Sequence, residues 1–206
     1  ALLHPLWIAS LVALIVNDHV LKGSGLLPGV VTGKLSEFAV RHTLDELLTQ
    51  VVDEAEALTG STIGFFHFLE PDQVTLQLQA WSTNTMKTIC SAEGKGEHYS
   101  IDKAGVWVEC VRVRKPVIHN SYATLPGRKG LPQGHAPLER ELVVPIFRGD
   151  LIVAIVGVGN KPTDYLDSDL DAVSRLINFI WDIVSNKKKE IALEEENAVL
   201  EQRGNE

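Results

Sequence analysis

The sequence predicts an α+β domain in which a central antiparallel sheet is flanked by helices and a long C-terminal helix of coiled-coil character leaves the fold. Three observations carry this. Thr43 and Glu46 match a capping box ahead of apolar residues at helical spacing; two pairs of apolar runs are joined by turn chemistry; and from Asp167 onward apolar residues recur every three or four positions.

Taken in order, residues 1–34 form a segment unlike the rest. Residues 5–16 are almost entirely apolar, Asn17, Asp18 and His19 close the run, and Gly23, Gly25, Pro28, Gly29 and Gly33 punctuate the remainder of the segment. The run falls short of the roughly 20 apolar residues a spanning helix needs. A truncated membrane helix is the first reading, with a signal-like core, a buried helix or a loosely docked tail as alternatives. A signal peptide wants a basic start, and residues 1–4 contain no lysine or arginine. The chain opens at Ala1 and stops in a charged tract, so it is expected to be a piece of a longer protein.

Residues 35–166 carry the mixed helix and sheet pattern. After the capping box, Leu44, Leu47, Leu48, Val51, Val52, Ala55 and Leu58 predict an amphipathic helix ended by Gly60. Residues 63–69 and 74–81 predict a hairpin turning at Glu70, Pro71, Asp72 and Gln73, with Val74, Leu76, Leu78 and Ala80 on one face. A short helix is expected over 106–113 and a brief strand at Val117 and Ile118. A second hairpin is expected over 139–147 and 151–158, turning at Arg148, Gly149 and Asp150. Residues 167–206 predict the exit helix. Val173, Ile177, Ile180, Val184, Lys187, Ile191, Glu194 and Ala198 trace the seam of a parallel dimer, unless the first half packs on the sheet and the end is simply solvated.

Bulk properties narrow the function. A chain of 206 residues with 45% hydrophobic content can bury one core and carry appendages, since burial becomes comfortable at about 100 to 150 residues. The net charge of -8 and pI of 5.4 argue against nucleic acid as a partner. Cys90 and Cys110 are the only cysteines, with neither CxxC spacing nor a disulfide pattern, which suits the cytoplasm, with membrane tethering only through residues 1–34.

The strings Gly64-Phe65-Phe66-His67-Phe68, Gln79-Ala80-Trp81-Ser82-Thr83, Ala104-Gly105-Val106-Trp107, Pro116-Val117-Ile118-His119-Asn120, Arg140-Glu141-Leu142-Val143-Val144-Pro145 and Gly157-Val158-Gly159-Asn160-Lys161 stand in that order along residues 36–189. In this the chain resembles the GAF domains found ahead of PAS and histidine kinase modules in bacterial sensor proteins. One departure is Ser121, where the resemblance would place an acidic residue. The resemblance implies a GAF-like fold and a small molecule bound between the sheet and the variable middle segment, residues 81–137. Trp81, Tyr99, Trp107 and Tyr122 are the aromatic candidates for its walls, and Cys90, His119, Asn120 and His135 the polar ones. Aromatic residues at these spacings are also common in plain core.

Several chemistries are weighed against that reading. Cys90, His98, Cys110, His119 and His135 are metal-ligand types, but they are scattered over separate elements and lack paired spacing, so no metal site is expected. No cofactor is named by any motif. Two cysteines on this framework also resemble the GAF-type reductases of free methionine sulfoxide, in which one thiolate attacks the sulfoxide and a second thiol resolves it. Cys110 falls in a helical, apolar pattern, and the surroundings of Cys90 offer only Lys87 and Lys95 to activate it. A bilin attached through cysteine is disfavoured because Ser91, not histidine, follows Cys90. Residues 122–137, rich in Gly and Pro and carrying Arg128-Lys129, predict a lid over the pocket and match no phosphate-binding loop. The expected function is therefore regulatory and non-enzymatic: an unidentified small molecule sensed by a homodimer, its state passed along the C-terminal helix to an output module of a two-component type outside this chain.

Overall fold

The computed structural model describes residues 27–88, 98–126 and 137–204. Most of the apolar N-terminal segment lies outside them, as do Cys90 and His135. Among the described residues no helix is long and apolar enough to cross a membrane.

Helix α1 (Leu27–Arg41) runs through the change of composition at Lys34 and buries Leu35 and Ala39, one turn apart. Helix α2 (Leu44–Thr59) starts where the capping box predicts: Glu46 N donates to Thr43 Oγ1 at 3.2 Å and Thr43 N donates back to Glu46 Oε2 at 2.8 Å. Its stripe Leu47, Leu48, Val51, Val52 and Ala55 is fully buried, and Gly60 ends it in the left-handed conformation at φ 70°.

Strands β1 (Ile63–Leu69) and β2 (Thr75–Trp81) form the first hairpin. Asp72 Oδ1 accepts Val74 N at 2.9 Å and Thr75 N at 2.8 Å, which sets the turn. Gln73 in that turn exchanges two hydrogen bonds with Ile152, of 2.8 and 2.9 Å, tying the hairpin to the neighbouring strand. The strict alternation expected from Leu76 to Ala80 is broken: Phe66 faces Ala80 and His67 faces Leu78, so Gln79 is an extra residue, a β-bulge. Ala80 is thereby turned to the helix side, while Trp81 comes opposite Phe65 on the other face; Val74 lies before the strand and is exposed.

Helix α3 (Thr83–Thr88) comes next, capped by Ser82 Oγ, which accepts Thr85 N at 3.0 Å, and by Asp53 of α2, which accepts Thr83 N at 2.6 Å. Strand β3 is His98–Ser100. The helix expected over 106–113 is a 3-10 turn (Val106–Val108) leading into α4 (Glu109–Val113). Strand β4 (Val117–His119), a second 3-10 turn (Tyr122–Thr124), and the hairpin β5 (Glu141–Arg148) and β6 (Leu151–Gly159) complete the sheet. The described strands lie in the order β3-β2-β1-β6-β5-β4, every pair antiparallel.

Alternation along the strands divides the core. Phe66, Phe68, Leu142, Val144, Ile146, Val156 and Val158 face α1, α2 and the C-terminal helix α5 (Asp167–Gly204). Val143, Ile155 and Leu76 face the opposite way, against Val108, Cys110 and Val111. We call this second side the inner face. Val173, Ile177, Ile180 and Val184 of α5 are fully buried within their own domain, so the first half of the expected dimer seam is intramolecular core. The helix is fastened there by Lys187 Nζ, which donates to Ala39 O at the end of α1 at 2.8 Å. From Lys188 to Arg203 every side chain is exposed, among them Leu193 and Leu200.

Gly157 marks the closest approach on the inner face. A Cβ there would lie 2.2 Å from Cζ of Phe65, its cross-strand neighbour. Gly157→Ala is expected to destabilise the fold by about 1–3 kcal/mol through overpacking. Adding Phe65→Leu should recover much of that loss, as read by thermal or urea unfolding.

Candidate functional site

The inner face carries a continuous aromatic wall. Phe65 and His67 alternate to the same side of β1, the Gln79 bulge brings Trp81 beside them, and the 3-10 turn delivers Trp107. Ring centroids of Trp81, Trp107 and His67 lie 6.3, 5.4 and 5.2 Å from that of Phe65, all edge-on. The rings of His67 and Trp107 are 4.9 Å apart. Edge-to-face pairs each add about 0.5–1.5 kcal/mol beyond their buried area. Tyr122 is buried, and its hydroxyl approaches Gly105, where a Cβ would lie 3.8 Å from the oxygen and 3.5 Å from Cδ1 of Trp107. Tyr122 and Trp107 thus stand on either side of residue 105.

A polar cluster stands at the β4–β5 end of this face. Pairing of His119 with Glu141 across the two strands puts Nδ1 of the imidazole 2.7 Å from Glu141 Oε1, and its Nε2 is 3.2 Å from Oε2 of Glu109, the first residue of α4. Glu141 is 2% exposed, whereas the Glu109 side chain is 42% exposed. Burial pushes the Glu141 carboxyl above its ordinary range, and the hydrogen bond to Glu141, reinforced by both negative charges, raises His119. His67 is the opposite case: burial alone pushes it down to about 3, so its ring is neutral.

The arrangement offers an aromatic, largely apolar surface with one acidic polar end. The described thiol adds no nucleophile. Cys110 is fully buried, and desolvation together with the Glu141 charge pushes it up to about 12, so it stays protonated at neutral pH. Among the described residues no three His, Cys, Asp or Glu side chains are grouped to hold a metal ion.

Of the residues singled out in the sequence, Trp81 and Trp107 meet through Phe65, and Tyr122 joins Trp107 at Gly105. His119 belongs to the polar cluster. Asn120 is engaged elsewhere: its Oδ1 accepts Tyr165 N at 2.7 Å and its Nδ2 donates to Tyr165 O at 3.1 Å, clamping the segment before α5. Tyr99 pairs with Leu76 through the backbone of β3, and its side chain, like Cys90 and His135, lies outside the described residues. So does most of the expected lid, whose beginning is the 3-10 turn at Tyr122. Phe65, His67, Glu109 and Glu141 were not singled out as site residues. The first two carry a signal, same-face spacing in a strand; Glu141 becomes visible only through the pairing of β4 with β5, and Glu109 only through the docking of α4 beside His119.

The buried, neutral His67 makes stability depend on pH. Its folded value lies below the unfolded one, so the folded state binds fewer protons between about pH 3 and 6.5, and its contribution is lost as pH falls through that window. Going from pH 6.5 to 5 is expected to cost roughly 2 kcal/mol. His119 and Glu141, both raised, hold protons more tightly when folded and contribute a slope of opposite sign, starting from 6.5 and 4.5 respectively. Urea unfolding across pH 5 to 7 should therefore show a flatter acid limb for His67→Gln than for the parent.

A family model described as GAF domain matches residues 41–185. The methyl sulfide methyltransferase-associated sensor of Methanosarcina acetivorans is 40% identical over 152 residues, 73% of this chain but 15% of that protein's length. Among solved structures, the GAF domain of a phosphoenolpyruvate-protein phosphotransferase from Coxiella burnetii superposes with a TM-score of 0.61 at 12% identity, covering 80% of this chain and 96% of that one. Free methionine-R-sulfoxide reductase from Neisseria meningitidis does so at 0.54 and 10% identity, covering 76% and 89%. At such identities the structural likeness shows the fold, and the fold agrees with the family model: this chain belongs to the GAF domain family.

Proposed function

We propose that this GAF domain is a regulatory sensor that binds a small molecule against the inner face and passes its occupancy along α5 to an output module outside the chain. One observation carries the reading. The aromatic wall and the acidic cluster stand on one side of the sheet, while α1, α2 and α5 pack on the other, so a single layer of strands connects a binding surface to an emerging helix. The sensory role is supported by the related protein of Methanosarcina acetivorans, named as a sensor. Trp81, Cys90, Tyr99, Trp107, His119, Tyr122 and His135 are the candidate ligand contacts, with Asn120 setting the geometry of the adjoining segment through Tyr165. In this scheme residues 35–166 sense, residues 167–206 transmit as a dimer, and residues 1–34 supply any membrane tether.

A ligand present at a hundred times its dissociation constant is expected to add about 2.7 kcal/mol to unfolding. Trp107→Ala should weaken binding at least about tenfold. Native mass spectrometry followed by thermal unfolding checks both, and a protein that neither retains nor responds to any small molecule would sink the sensory reading.

The reductase reading differs in its demands. With Cys110 held protonated, it rests on Cys90 alone. In a Cys90→Ser protein, Cys110 is expected to resist thiol reagents until the domain is unfolded. Reduction of free methionine sulfoxide that disappears with Cys90→Ser would replace the sensor by an enzyme.

The transmitting helix is tested separately. Ending the chain after Lys187 removes side chains that are exposed among the described residues, Lys188 over the Phe68 ring included, and is expected to cost less than about 1 kcal/mol of domain stability while weakening the dimer. Light scattering reads the outcome; an unchanged dimer would move the interface elsewhere.

A further inference from the structure

Resting on the sensory reading, we propose that the ligand carries a protonated amine, received by Glu141 beside the aromatic wall. Glu141 is nearly fully buried on the inner face, and its two carboxylate oxygens are treated differently. Oε1 is 2.7 Å from His119 Nδ1, whereas Oε2 is equally out of solvent and, among the described residues, has no hydrogen-bond partner. A buried acceptor left in that state costs about 1–3 kcal/mol, and native folds rarely keep one without use.

His119 cannot meet the need. Its two ring nitrogens already face the two carboxylates, at 2.7 Å from Glu141 and 3.2 Å from Glu109. With all three groups ionised the cluster carries one net negative charge and one vacant acceptor. A ligand ammonium answers both at once, supplying an N–H to Oε2 and a positive charge in a desolvated site.

The surroundings select the same chemistry. Trp107 lies two residues before Glu109, in the 3-10 turn that leads into α4, and its ring packs on Phe65 and His67. Aromatic faces attract cations and accept the alkyl or aryl part of an amine. His67 is neutral and adds no competing positive charge. An anionic ligand would meet the Glu109 and Glu141 carboxylates, and of the described cations nearby, Arg140 is paired with Glu139 and Asp164 at 3.3 and 3.6 Å while the Arg112 guanidinium donates to Ile101 O at 2.8 Å.

Three probes of one shape separate the charges: benzylammonium, benzyl alcohol and benzoate, titrated against the full chain by calorimetry and thermal shift. Benzylammonium is expected to bind saturably, at least about tenfold more tightly than either of the others. Glu141→Gln should remove that preference. Because this variant also disturbs the His119 contact, Glu109→Gln at the half-open edge is the second test, expected to weaken benzylammonium about threefold or more while leaving benzyl alcohol unchanged. Equal binding of the neutral or anionic probe, or no binding of benzylammonium, overturns the assignment. A neutral or anionic molecule retained in native mass spectrometry would then still support a sensor, so the two readings fail separately.

Discussion

The ring of Phe65 lies across the bare backbone of Gly157, and the inner face is built outward from that contact. Any side chain at residue 157 would occupy the space of the ring. With Phe65 seated on β6, its edges become the surfaces on which His67, Trp81 and Trp107 arrange themselves. Two central strands, β1 and β6, thus carry the wall, and the elements brought to it come from β2 and the 3-10 turn at Val106–Val108. A flat apolar surface would arise from any alternating strand; a wall of edge-on rings requires the absent side chain.

The same two strands serve the other face. Phe66 and Phe68 of β1 and Val156 and Val158 of β6 pack against the helices, each next in sequence to an inner-face residue. A ligand that shifts Phe65 or His67 therefore acts on strands whose opposite side is in contact with α5. That helix is tied at several places: Lys187 to the end of α1, Arg148 of β5 over the ring of Trp181 at 5.6 Å, and Lys161 to Asp169 at 2.6 Å. In the proposed scheme a displacement at the sheet would be carried as movement of α5, because well-packed cores switch between discrete arrangements and do not deform smoothly.

Two buried carboxylates show how differently the faces are finished. Glu56 of α2 receives the Ser82 hydroxyl, and Ser82 in turn caps α3 and contacts Thr85 Oγ1 at 2.7 Å, which itself accepts Gly64 N at 2.8 Å. That network is closed and holds α2, β1 and α3 together. Among the described residues Glu141 is held at one oxygen only, by His119. Burial raises both acids above their ordinary range. The difference is that one is a joint between elements and the other faces the side of the sheet where the aromatic wall stands.

Much of the architecture was legible from local rules. The Thr43 capping box, the Gly60 stop, the Asp72 turn and the start of α5 at Asp167 depend on chemistry within a few residues, which the chain states directly. Short pieces such as β3 and α3 leave no pattern in the sequence, because three to six residues are too few to show a period. The Gln79 bulge reversed the faces of Ala80 and Trp81, since register depends on the partner strand and a single extra residue turns every later side chain to the other face. The heptad-like spacing of α5 marks a helix with an apolar stripe, but a stripe does not say whether its cover is another copy or its own domain. Contacts between neighbours along the chain set the helices, the hairpins and their GAF-type order, so these could be read from the residues alone. The seating of Phe65 on Gly157 and the meeting of Glu109, His119 and Glu141 came only with the folded arrangement, because strand pairing and helix docking bring together residues that no local pattern connects.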